Sequence, residues 1–250
     1  MATKTTEKEY KEMIVEITTD LNVLAFWLDG SHGKGAETKH SDYDGTMIVK
    51  DAVLNQYKKK YGSKRNPEIE LKVLTLSQLK KYAEYGSGME WDRYNFAHLT
   101  TEFDRTKKIQ AIIDGKSTVP KNIRKKIISP ALGAFINLAY RAEKNIRDGD
   151  STAAQLDTIE AIPFFLDAIF TLEGRVRPYN KYLTWGLEKY PLTLFPWKKG
   201  QLIKKITSAI AGDGKSHALL DLLLAIRPIF KKAGYTVEFD EWKGYYKIGE

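Results

Sequence analysis

Two aspartates one residue apart, Asp42 and Asp44, follow a short glycine-rich stretch, Gly30-Ser31-His32-Gly33-Lys34-Gly35. Carboxylates this close repel each other unless a proton or a cation lies between them. At the start of a β-strand the two-residue period sets both on one face. Glu70 lies on a later alternating stretch and joins them if that strand is the neighbour; Glu68 shares its face and is the fallback. Three carboxylates suit Mg²⁺, which takes oxygen ligands and keeps contacts to substrate phosphates. Two such ions about 4 Å apart clamp the attacking and leaving oxygens of an in-line phosphoryl displacement. Upstream, Gly30 ends an apolar run and Ser31 follows where a helix begins, so amides and a hydroxyl are offered to a phosphate. Gly33 and Gly35 permit close backbone approach, and Lys34 adds a mobile positive charge.

The elements that must position these residues are legible in the apolar pattern. Tyr10, Met13, Ile14, Ile17 and Leu21 recur at helical spacing from Lys8 to Leu21. "NVLAFWLDG" predicts a strand covered on both faces. "YDGTMIVK" is a second strand, "AVLNQYKKKYGSKRNP" a short basic helix with its loop, and "EIELKVLTL" a third strand. "SQLKKYAEYG" and "WDRYNFAHL" are helical. The second half is almost purely helical. One stripe runs through Leu132, Phe135, Ile136, Ala139 and Tyr140, a second through Leu156, Ile159, Leu166, Ile169 and Phe170, and a third through Leu219, Leu222, Leu223, Ile226 and Phe230. Glycine and proline punctuate them at "RDGDS", "EGRVRP", "KYPLTLFPW" and "AGDGKS". The expected fold is an α/β (α+β) domain with a short mixed sheet over residues 1–117, then an all-α bundle over 118–250. The aromatic tail "YTVEFDEWKGYYKIGE" is expected to add a strand or to pack over the bundle.

"GSHGKGAETKHSDYDG" resembles the signature of the polymerase-β-like nucleotidyltransferase superfamily: a Gly-Ser pair, a short loop with a basic residue, then Ser-Asp-x-Asp. Ten residues separate Ser31 from Asp42, as in the minimal version of the motif. The resemblance implies that Gly30 and Ser31, with Lys34 and Ser41, hold a nucleoside triphosphate, that Asp42 and Asp44 bind catalytic Mg²⁺, and that a third carboxylate, Glu70, joins them. His32 departs from the pattern, standing where minimal members often have arginine, and the third acid is glutamate rather than aspartate. That glutamate and the helical second half are similar to the antibiotic-modifying (aminoglycoside-type) members.

In the second half, "EGRVRPYNKYLTWGLEKYPL" resembles the Pro-x-x-Lys-Tyr/Trp stretch of nucleotidyltransferases with helical carboxy-terminal domains. Arg177 and Lys181 are candidate phosphate contacts there, and Tyr179 or Trp185 a candidate for stacking on a base. Tyr182 and Trp185 also fit a helical core. On "STAAQLDTIEAIPFFLDAIF", Asp157, Glu160 and Asp167 fall near one face, opposite the apolar stripe, and Glu160 is the candidate general base on an acceptor hydroxyl. Pro163 is expected to kink this helix.

Composition bounds the partners. A hydrophobic fraction of 42% with 29% charged residues excludes wholesale disorder, and no window has the roughly 18 uninterrupted apolar residues of a membrane span. The amino terminus has no apolar signal-peptide core, so cytoplasmic residence is expected. Without cysteine there is neither disulfide nor thiolate chemistry. Four histidines do not make a zinc site at these spacings. The net charge of +8 favours anionic ligands. The expected activity is Mg²⁺-dependent transfer of a nucleoside monophosphate, from ATP foremost, to the hydroxyl of a small molecule such as an antibiotic. The alternatives are an RNA, tRNA or protein acceptor, and a nucleotide-binding regulatory module without turnover. Either a monomer or a homodimer is compatible with the sequence.

Overall fold

The computed structural model describes residues 4–62, 66–212, 214 and 216–241. The chain folds as two compact units, Met1–Thr118 and Val119–Glu250. Among the described residues no helix is long and apolar enough to cross a membrane.

The first unit is built on a mixed four-stranded sheet in the order β3-β2-β1-β4. Helix α1 (Lys4–Thr19) leads into β1 (Val23–Leu28) and the one-turn helix α2 (Gly30–Lys34). Strand β2 (Tyr43–Val49) returns antiparallel to β1, with Leu28 opposite Gly45. Helix α3 (Leu54–Tyr61) then carries the chain across to β3 (Ile69–Thr75), which lies parallel to β2. A parallel pair needs such a crossover, because no tight turn joins strands running the same way. Helix α4 (Leu76–Lys81), a 3₁₀ segment over Glu90–Phe96, the two-residue strand β4 (Phe103–Asp104) and helix α5 (Ile109–Lys116) complete the unit. Thr75 caps α4 reciprocally with Gln78, each side chain bonding the other's backbone amide.

Both sheet faces are covered, as the apolar run through β1 predicts. Ala25, Trp27 and Ile48 pack on one face with Leu79, Phe96, Ile109 and Ile113. Phe26, Met47, Val49, Leu71 and Val73 pack on the other with Ile17 of α1 and Tyr57 of α3. Leu21 is not part of the α1 stripe; it is 72% exposed, in the turn beyond the helix end. "WDRYNFAHL" forms a 3₁₀ segment rather than an α-helix, and β4 and α5 lie where no element was expected.

The described elements of the second unit are helices: α6 (Lys121–Arg147), α7 (Ser151–Leu172), α8 (Asn180–Lys189), α9 (Gln201–Ala211), α10 (Ala218–Lys232) and α11 (Val237–Asp240). The short turn after α6 makes α6 and α7 a helical hairpin. Its seam includes Leu132, Phe135, Ile136 and Ala139 against Phe165, Leu166 and Ile169. Leu219, Leu222, Leu223, Ile226 and Phe230 bury the third stripe against them. The second stripe needs correction. Leu156 and Ile159 are 62% and 44% exposed, while Asp157 between them is buried, ion-paired to Arg141 at 3.1 Å and bonded by Asn145 at 2.8 Å. The first turns of α7 therefore turn their acid, not their leucine, toward α6. Helix α7 runs through Pro163 without interruption. In the aromatic tail Val237–Asp240 is helical, with Phe239 buried in the bundle core; residues 242–250 lie outside the described residues.

Candidate active site

The glycine-rich stretch folds as a turn into α2. Gly30 takes a positive φ of 56°, which a side-chain-bearing residue adopts only at a cost. Gly33 lies so close to β1 that a Cβ there would stand 2.0 Å from the Leu28 carbonyl oxygen and 2.7 Å from Leu99 Cδ2. The turn is tied to the acid-bearing strand directly: the Asp29 amide donates to the Asp44 carbonyl at 2.8 Å. Ser31 is buried in α2. Ser41 closes the intervening loop on itself, its Oγ accepting from the Thr38 amide at 2.9 Å and its amide donating to the Thr38 carbonyl at 3.0 Å.

Strand β2 begins at Tyr43, so Asp44 is within the ladder and the exposed Asp42 precedes it. In the parallel β2–β3 register Asp44 stands opposite Glu70 and Thr46 opposite Lys72. Both pairs share the face that farther along carries Ile48, because side chains alternate. Asp44 and Glu70 thus form a pair at the start of two neighbouring strands, beside the Gly30-Ser31 turn. Glu68 lies just before β3, where it accepts from Thr6 Oγ1 at 2.6 Å.

Lys34 differs from its expected role. It is 3% exposed, and its ammonium donates to the carbonyls of Tyr94 (3.3 Å), Asn95 (3.2 Å) and Ala97 (2.7 Å). Burial pushes its pKa down to about 8, with Asp29 acting in the opposite direction. The loop's lysine is a fixed internal tie for the 3₁₀ segment rather than a mobile phosphate ligand, because a buried ammonium needs acceptors and these carbonyls supply them.

Two further charged residues line the layer beneath the acid pair, and the motif does not reveal them. Asp29 accepts from Trp27 Nε1 at 2.8 Å and from Thr46 Oγ1 at 2.5 Å, and burial raises its carboxyl pKa. Lys72 donates to Tyr82 Oη at 3.0 Å, Tyr82 in turn bonds Asp92, and the Lys72 ammonium is 3.9 Å from that carboxylate. Burial works against the charge on Lys72, but Tyr82, Asp29 and Asp92 hold its pKa above the ordinary value. The visible signal was the alternation Glu70-x-Lys72, which sets a cation on the same face as the acid.

The remaining candidates belong to the helical unit. Glu160 is exposed on α7. Lys181 is exposed on α8, with its ammonium 5.4 Å from the ring centre of Tyr182. Tyr182 is core, and Trp185 packs edge-on to both Tyr182 and Tyr190. Arg177 is engaged by Asp167 at 3.4 Å and by the Pro163 carbonyl at 3.3 Å.

No protein-family model matches the chain, and no curated protein matches it in sequence. Among solved structures, a nucleotidyltransferase-like protein from Exiguobacterium sibiricum 255-15 is similar over 91% of this chain and 79% of its own, with 12% identity and a TM-score of 0.37.

Proposed function

We propose that the protein is a Mg²⁺-dependent nucleotidyltransferase whose site is the Asp44–Glu70 pair together with Asp42 and the Gly30-Ser31 turn. One observation carries the reading: the parallel register pairs Asp44 with Glu70, and the adjacent Asp29 amide hydrogen-bonds the Asp44 carbonyl, so acids and turn form one unit.

The donor set suits Mg²⁺. This ion takes oxygen ligands, retains waters and binds through one or two carboxylates plus substrate phosphates rather than in an all-protein cage. The expected cluster of three carboxylates, Asp42, Asp44 and Glu70, does not form: among the described residues no three His, Asp or Glu side chains stand close enough to hold an ion. Asp44 and Glu70 would hold the metal jointly with the triphosphate, Asp42 reaching it only as a further ligand drawn in by the ion, and the bound ion would supply charge neutralisation at the phosphates. Gly30 and Ser31 orient the phosphates, Ser41 keeps the loop closed over them, and Lys72 balances charge in place of the buried Lys34. Glu70 takes the proton of the acceptor hydroxyl. The nucleotide is ATP foremost. The acceptor is a small hydroxylated molecule such as an antibiotic; RNA is the second reading, favoured by the net charge of +8.

The test is to incubate pure protein with Mg²⁺, each labelled nucleoside triphosphate and an antibiotic panel, then bulk tRNA. Label on a small molecule with pyrophosphate released supports the first acceptor, and label on RNA the second. Nucleotide bound with no pyrophosphate released under any condition would refute transfer.

A further inference from the structure

The residue between the two aspartates is gripped by rings on both sides. Tyr43 stacks on Tyr10 of α1 with ring centres 4.3 Å apart and planes within 15°. On its other side it stacks on His32 of α2, at 4.4 Å and 8°. Tyr10 packs with the apolar cluster on the α1 side of the sheet, the side opposite the face shared by Asp44, Thr46 and Ile48. Three rings in one column thus join α1, β2 and α2 through the single position between Asp42 and Asp44. His32 Nε2 is buried without a hydrogen bond.

We propose that His32 and Tyr10 are positioning residues that clamp Tyr43 and thereby hold Asp44 on the opposite face and limit the swing of Asp42; the proposal rests on the reading of those acids as a metal site. With Tyr43 held on one face, alternation within the strand turns Asp44 to the other. Asp44 has the strand ladder to hold it as well, since it pairs with Glu70 and its carbonyl accepts from Asp29. Asp42 precedes the ladder, so the clamped ring next to it is what limits its swing. Stacked rings suit this task because their contact depends on orientation as well as burial. The plane of residue 32, and not its nitrogens, does the work; the orphaned Nε2 marks a histidine acting as an aromatic plate.

The affinity for Mn²⁺ together with a non-hydrolysable ATP analogue, read by the water-proton relaxation enhancement of the ternary complex, tests the proposal with wild type, Asp44→Asn, His32→Ala, His32→Phe, Tyr43→Leu and Tyr43→Phe. His32→Ala and Tyr43→Leu are expected to weaken Mn²⁺ binding about tenfold, the cost of losing a ligand-orienting neighbour. The two phenylalanine variants are expected to stay within about twofold of wild type, because a flat ring is retained. Val49→Ala, a truncation on the same strand and face away from the acids, controls for lost stability and should leave the affinity unchanged. Equal losses in His32→Phe and His32→Ala would overturn the proposal by assigning the role to the imidazole nitrogens. Wild-type affinity in His32→Ala and Tyr43→Leu, with Asp44→Asn impaired, would overturn it while sparing the metal site. If wild type and Asp44→Asn bind alike, or neither binds, the metal reading fails and the clamp's proposed role falls with it.

Discussion

Asp44 and Glu70 face each other across the parallel β2–β3 ladder, one residue into each strand. Two acids in that relation repel, and the arrangement becomes favourable when a cation is shared between them. Asp44→Asn should therefore lower nucleotidyl transfer by roughly 10²–10³-fold or more, as expected when a group stabilising transition-state charge is lost. The melting temperature should stay near the wild-type value, because the exchange is nearly isosteric and leaves the backbone pairing of β2 and β3 in place. Pyrophosphate release and a thermal melt on the same preparation check both halves; transfer at the wild-type rate would refute the assignment.

Gly33 is sterically required. A methyl group at this position overlaps the Leu28 carbonyl oxygen, a backbone atom that cannot rotate away. Gly33→Ala should cost about 3 kcal/mol, at the upper end for overpacking, and displace α2 from β1. Urea denaturation measures the loss; a change under about 0.5 kcal/mol would mean that the packing relaxes freely.

Lys34 gives the protein a pH signature. Burial holds its pKa near 8 against 10.5 for the ordinary side chain. Below pH 8 both folded and unfolded chains carry the proton, and the cost of burying the charge is present in full. Between pH 8 and 10.5 the unfolded chain keeps a proton that the folded chain has released, so stability attributable to this residue rises with pH. Relative to Lys34→Met, the wild type should gain up to about 3 kcal/mol across that window. Parallel stability curves for the two proteins, from urea titrations at several pH values, would contradict this.

Leu156 and Leu166 separate the two halves of α7. Leu156 is 62% exposed and Leu166 only 1%. Leu156→Ser should change stability by less than about 0.5 kcal/mol. Leu166→Ala should cost about 2–5 kcal/mol, from lost burial and the cavity left behind. Equal costs in chemical denaturation would restore Leu156 to the core.

Local chemistry and periodicity, which need no partner, were legible in the sequence. The alternation in "EIELKVLTL", the apolar run of β1 and the helical stripes through α6 and α10 each match the elements that form, because period two and period 3.6 are properties of the backbone itself. The Gly30 turn and the acid spacing were legible for the same reason. Which strand neighbours which was not. Only the parallel pairing of β2 with β3 brings Glu70 beside Asp44, and that depends on the path of α3 across the sheet. The sequence likewise presents Lys34 as a loop cation; its burial follows from three carbonyls sixty residues away that the chain fold delivers to it. Leu156 and Asp157 exchange their expected sides because Arg141 and Asn145 of the neighbouring helix solvate the acid in place of water. The ring column of Tyr10, Tyr43 and His32 draws on three separate elements, so no single stretch of sequence announces it. Short-range pattern settles the element, and long-range contact settles which of its polar groups meet water and which meet each other.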